Sequence, residues 1–158
     1  MEDCAKTHKD CPPIVLDSRL PTRVIDCLDP LHPRLFASGG KRGQYAALSY
    51  VWGEAQPHST TNAKLDAYTS SIDISIIPRT IREAIEVTHK LGLRYLWVDS
   101  FCIIQDSRED KTRELVLLRR IFHDAYITIV AACAPSASAG FLYDRPSPVP
   151  SQIGRAHV

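Results

Sequence analysis

An excess of charge of either sign is missing from this chain: 19 lysines and arginines face 18 aspartates and glutamates, a formal net charge of +1. No basic stripe forms that could track a phosphate backbone, so nucleic acid is not an expected partner. Long apolar runs are missing too. No stretch approaches the roughly 20 residues that cross a bilayer, so no membrane partner is expected. The opening Met1-Glu-Asp-Cys4 lacks the basic and apolar regions of a signal peptide, which predicts a cytosolic protein. Close Cys-x-x-Cys pairs are also missing. The five cysteines, Cys4, Cys11, Cys27, Cys102 and Cys133, are odd in number and scattered, against a secreted disulfide framework. Cys4, His8, Cys11 and Cys27 lack the spacing of structural zinc sites, and no metal is expected. Ser38-Gly-Gly-Lys-Arg-Gly43 lacks the Walker spacing and reads as a surface turn. No internal repeat is visible.

What is present suits one globular domain. At 158 residues, 44% apolar and 23% charged, the chain can bury one core but not two. Residues 1–20, with Pro12-Pro13, read as a disordered leader, 21–145 as the domain, and 146–158 as an unstructured, proline-containing tail.

Three apolar runs predict strands. Tyr45 to Trp52 is closed by Gly53, Tyr95 to Val98 leaves through Asp99-Ser100, and Ala125 to Ala132 follows a helical segment. Pro21 to Leu28 gives a brief alternation expected at a sheet edge, because prolines flank it. Between the runs lie two predicted helices. One opens at Pro78, with Thr80 and Glu83 as a capping box and Ile81, Ala84, Ile85, Thr88 and Leu91 on one face, and ends at Gly92. The other opens with Ser107 and Asp110 as an N-cap signature, and Leu115, Leu118, Ile121, Phe122 and Ala125 recur at helical spacing. Residues 54–77 read as an irregular insertion, with one alternation at 71–76 compatible with a strand. Alternating strands and helices predict an α/β fold with a mainly parallel sheet flanked by helices.

In such sheets chemistry gathers beyond the carboxyl ends of the strands. That rule selects Ser49, Tyr50, Trp52 and Gly53 at one exit and Asp99, Ser100, Cys102 and Gln105 at the next. At about 100° per residue, Glu114 falls on the same side as Leu118 and Ile121, inside the apolar stripe. A buried carboxylate is costly unless paired, so Glu114 is an arginine's salt-bridge partner, a partly exposed rim residue, or a functional acid at the rim where the stripe leaves the core. A third arrangement, Cys102 as nucleophile with His89 or His123 as base, has no sequence feature that joins them.

Three blocks resemble the heterokaryon incompatibility (HET) domain of filamentous fungi: Tyr45-Ala-Ala-Leu-Ser-Tyr-Val-Trp-Gly53, Pro78 to Asp106, and Glu114 to Ala132, with Gly140-Phe-Leu142 fitting the family's closing turn. The resemblance covers roughly residues 45–142. It implies a role in fungal nonself recognition and cell-death signalling. The family is in turn similar to Toll/interleukin-1 receptor (TIR) domains, which implies a TIR-like, flavodoxin-like sheet. Some TIR domains release nicotinamide from NAD with a helix glutamate, and the family's Asp-Trp-x-x-Glu pattern falls here on Asp110-Lys-Thr-Arg-Glu114. The resemblance thus implies Glu114 as the catalytic residue of an NAD(P) glycohydrolase, with NAD or NADP as substrate and no resident cofactor. The departures are Lys111 for the tryptophan, Leu118 for a methionine and Phe122 for a tyrosine. The alternative it implies is a noncatalytic interaction module that signals by self-association or through other signalling proteins, or an inactive fragment of a longer protein.

Overall fold

The computed structural model describes residues 18–144. The expected leader and tail fall almost wholly outside them.

Among the described residues seven strands and four α-helices form in the order β1 (Ser18–Arg19), β2 (Arg23–Asp26), β3 (Arg34–Ala37), β4 (Arg42–Gly43), β5 (Tyr45–Ser49), α1 (Leu65–Ser70), α2 (Arg79–Lys90), β6 (Tyr95–Trp97), α3 (Asp99–Cys102), α4 (Arg108–Asp124) and β7 (Ile127–Val130). The main sheet has five strands in the order β3-β2-β6-β5-β7. Its centre is parallel: β5 pairs with β6 (Ala46 opposite Leu96) and with β7 (Ala46 opposite Ile127). The other half is antiparallel, β2 running against both β6 and β3. The expected mainly parallel sheet is therefore corrected to a mixed one. The crossover helices govern only β5, β6 and β7, whereas β2 and β3 come before the first crossover and join through a short hairpin connection, which sets strands antiparallel.

β2 is not at the edge. All four of its residues are buried between β3 and β6. The flanking prolines lie outside residues 23–26, so every N–H within the strand can join the ladder.

Tyr45, Ala46, Ala47 and Leu48 are buried along the central strand, and Ile81, Ala84 and Ile85 of α2, Ile121 of α4 and Leu96 and Trp97 of β6 complete the core around them. Each fully buried aliphatic contributes about 1.5–3 kcal/mol. Leu91 and Leu115, expected on the buried faces, are 50% and 58% exposed. The buried stripe of α4 instead runs through Asp110, Glu114 and Ile121. Gly92 terminates α2 with φ +75°, as its position predicts.

Residues 54–77 are more ordered than expected. They contain α1 and a 3₁₀ turn at Ile74–Ile76 where the alternation suggests a strand, and Ile72 N donates to Pro33 O at 2.8 Å, tying the insertion beside β3. Asp73 accepts the N–H of Ser75, a local side-chain bond that favours a turn over a strand.

The capping box of α2 does not form. Pro78 occupies the N-cap, while Thr80 Oγ1 donates to Ser136 O and Glu83 accepts the N–H groups of Phe141 and Leu142. Both side chains hold the turn after β7 against α2 instead of closing the helix end.

Candidate functional site

The spatial order β6-β5-β7 takes the chain from β5 to one neighbour and then to the other, so the carboxyl ends of β5 and β7 flank a topological switch point. In this chain that crevice is filled by its own backbone. Ala137 N donates to Trp52 O at 3.0 Å, and Ser138 N to Glu54 Oε1 at 2.9 Å. Gly53, at φ +66°, has so little room that a Cβ there would lie 2.6 Å from Pro135 O.

Beside the filled crevice, the exits of β5 and β6 do meet. Trp52 Nε1 donates to Asp99 Oδ2 at 2.9 Å, Ser100 N to Asp99 Oδ1 at 2.7 Å, and Tyr50 OH to Ser100 Oγ at 2.9 Å. Gln105 Nε2 donates to the carbonyls of Asp99 and Ile103, both at 3.1 Å. The sequence thus brings Tyr50, Trp52, Asp99, Ser100 and Gln105 into one cluster. Ser49 and Gly53 border it on the exposed side. Burial pushes the Asp99 carboxyl above its ordinary range, and its bonds from Trp52 and Ser100 only partly offset this. Burial, with the charge of Asp99, raises Tyr50 as well. The cluster has the character of an internal hydrogen-bonded joint between two loops.

Thr60, which sequence reasoning does not single out, belongs to the same joint. It is fully buried, its Oγ1 donates to Phe101 O at 2.6 Å, and its carbonyl accepts Gln105 N at 2.7 Å. No pattern around it distinguishes it from the other polar residues of the insertion.

Glu114 sits elsewhere on the molecule's interior. Its helix starts at Ser107, whose side chain caps Asp110 N at 3.2 Å. Two helical turns then carry Glu114 into the interior, where it has 0% exposure. Oε1 lies 3.5 Å from Arg113 Nε and 3.9 Å from Arg23 Nη2, while Oε2 has no hydrogen-bond partner. Arg23, from β2, also donates through Nε to Cys102 O at 2.7 Å and pairs with Asp110, which in turn pairs with Arg113 and accepts Ile104 N at 2.8 Å. Two arginines therefore face two carboxylates in a four-residue network.

The structure displays the arginine contacts expected of a salt-bridge partner, and the partly exposed rim position is corrected to a fully buried one. The acid does not stand at an open rim: it is sealed, and among the described residues no hydrogen bond or ion pair joins it to the Asp99 cluster. The two are linked through α3, whose first residue is Asp99 and whose last, Cys102, accepts Arg23, and through the segment after it, where Ile104 N donates to Asp110 and Gln105 Nε2 to the carbonyls of Asp99 and Ile103. From the sequence, Asp110 reads as a capping partner and as the first residue of the family's acid pattern, not as a partner of Arg23. The sequence signal for the network is Glu114 inside the apolar stripe, which calls for a cation; nothing local marks Arg23 as that cation.

The cysteine arrangement does not assemble. Cys102 is fully buried, and burial pushes its thiol up to about 12. His89 faces Cys27 O at 3.1 Å and His123 faces Asp124 at 2.9 Å. Among the described residues no three His, Cys, Asp or Glu side chains are placed to hold a metal, and no helix is long and apolar enough to cross a membrane. Cys4, His8 and Cys11 lie outside those residues.

Comparison with known proteins gives two matches. The family described as Heterokaryon incompatibility protein (HET) matches residues 45–156. The Neurospora crassa protein named "Heterokaryon incompatibility protein 6, OR allele" is 35% identical over 96 residues, covering 54% of this chain and 14% of that protein. The chain thus spans a small part of that relative's length. No solved structure matches.

Proposed function

Because the chain belongs to the heterokaryon incompatibility (HET) family, we propose that it acts in fungal nonself recognition and cell-death signalling as a noncatalytic interaction module. The observation that carries this reading is the state of Glu114. Cleaving the bond between ribose and nicotinamide develops positive charge on the sugar, and a carboxylate aids it only when aimed at that centre. With 0% exposure and its Oε1 between Arg113 and Arg23, Glu114 is turned toward the protein's own cations. Lys111, where the family pattern has tryptophan, removes an aromatic wall on which a base could stack.

A specific observation favours a second reading, hydrolysis of NAD or NADP. A buried carboxylate oxygen without a donor, Glu114 Oε2, is costly in the resting protein. It would gain a partner if Arg23 and Arg113 withdrew and ribose hydroxyls took their place, with Ser49, Tyr50, Trp52, Gly53, Asp99, Ser100 and Gln105 as polar and stacking contacts.

Light scattering over a range of protein concentrations, run beside a nicotinamide-release assay on the same samples, separates the two. The module reading expects concentration-dependent association, in homo-oligomers, without release. Release that grows with assembly supports the second reading.

A further inference from the structure

Ser38-Gly39-Gly40, which the sequence sets aside as a turn, forms one wall of a cavity of about 340 Å³. This cavity lies at the amino end of β5, where Tyr45 begins the strand, and so at the opposite end from Ser49 and the Asp99 cluster. Its size suits a small ligand of a few rings.

The lining is divided by chemistry. Leu20, Pro21, Leu117 and Ile121 supply an apolar floor, with the Tyr45 ring held in place by its hydroxyl bond to Ile121 O at 2.6 Å. Two guanidinium groups stand at the margin. Arg19 lies against Gly40, with Nε and Nη2 3.8 Å from where a Cβ would be. Arg120 engages Asp124 through Nε at 3.1 Å, which leaves its terminal nitrogens for a further acceptor. Asp124 cancels one of the two positive charges, leaving the cavity with one in excess. The hydroxyls of Thr22 and Ser38 add donors, and a Cβ at Gly39 would meet no atom within 4 Å, so the wall there is open backbone.

We propose that this cavity binds a small organic phosphate with a flat apolar body, of the size of a nucleoside monophosphate. The body rests on Leu20, Leu117 and Ile121, and the phosphate is held between Arg19 and Arg120, because guanidinium forks match phosphate oxygens in pairs. The site makes no use of Glu114 or the Asp99 cluster, so it stands or falls independently of the reading of those residues.

Calorimetric titration of the full chain at low ionic strength with AMP, adenosine and inorganic phosphate as separate probes tests it. The expected result is binding of AMP that exceeds that of either half, weakened about tenfold by Arg19→Ala and by Arg120→Ala and partly kept by Arg19→Lys. Both arginines are exposed, so the unfolding midpoints of these variants should match the parent. Methyl NMR of the unaltered protein gives a second readout, in which AMP should shift Leu20, Leu117 and Ile121. No AMP binding at millimolar concentration, binding indifferent to both alanine variants, or methyl shifts confined to other regions would overturn the proposal.

Discussion

Glu83 Oε2 accepts the backbone N–H of Leu142 at 2.7 Å, joining the first turns of α2 to a segment 59 residues later. The same oxygen accepts Phe141 N, and Oε1 accepts Arg79 Nε at 2.7 Å. Thr80 Oγ1 accepts Gly140 N at 3.0 Å beside it. The turn after β7, whose loop fills the switch-point crevice, is fixed by this carboxylate. Glu83→Ala leaves two N–H groups without their acceptor and should cost about 2–3 kcal/mol. Glu83→Gln, which keeps one acceptor oxygen, should cost less. Urea denaturation of the two variants against the parent checks the order.

Acid should unfold the protein through a definite set of groups. Burial tends to raise Glu83, Asp26 and Asp110, but their bonds from backbone N–H groups and arginines outweigh it and hold each carboxyl below its ordinary range. A depressed folded pKa means that the stabilisation is present above the unfolded value, 3.8 for aspartate and 4.5 for glutamate, and lost as pH falls through the folded one. Asp99, raised by burial, has the opposite sign: its contribution is greatest at low pH and fades as pH rises through its folded pKa. Stability measured by urea midpoint should therefore be level near neutrality and fall below about pH 4. In Glu83→Gln the acid slope should be shallower.

Two glycines with positive φ should respond differently to alanine. At Gly92 (φ +75°) a Cβ meets nothing within 4 Å, so Gly92→Ala should cost only the left-handed backbone penalty of about 1–2 kcal/mol. At Gly53 (φ +66°) the same atom would lie 2.6 Å from Pro135 O and 2.7 Å from Ser136 Cβ. Gly53→Ala should therefore be the more damaging of the two in thermal denaturation, because the loop over the crevice has to move.

Thiol labelling should discriminate among the described cysteines. Cys133 is exposed, whereas Cys27 and Cys102 are buried and their thiols raised by burial. Iodoacetamide at neutral pH, followed by peptide mass mapping, should modify Cys133 and spare the other two until denaturant is added.

How much of this is legible in the sequence depends on whether local pattern or long-range pairing decides the outcome. β5, β6, β7, α2 and α4 follow from apolar runs, periodicity and stop signals such as Gly92 and Ser107. The meeting of Trp52 with Asp99 follows from the rule that strand exits share a rim. By contrast, Thr80 and Glu83 have the spacing of a local cap, yet Ser136, Gly140, Phe141 and Leu142 take them, and no local pattern reveals a partner more than 50 residues away. Arg23 is hidden for the same reason: its partners Asp110 and Glu114 lie on α4. The helix α1 escapes because Leu65-Asp-Ala-Tyr-Thr-Ser70 is too short, with only Tyr68 buried, to show a period.

The proposed noncatalytic role rests on Glu114 being held as an internal partner of Arg23 and Arg113. The most direct measurement is nicotinamide released from NAD by the purified protein at high concentration, quantified by chromatography beside Glu114→Gln. No release above the buffer background is expected from either protein. Sustained release by the parent that disappears in Glu114→Gln, while the variant keeps its fold, would contradict that role.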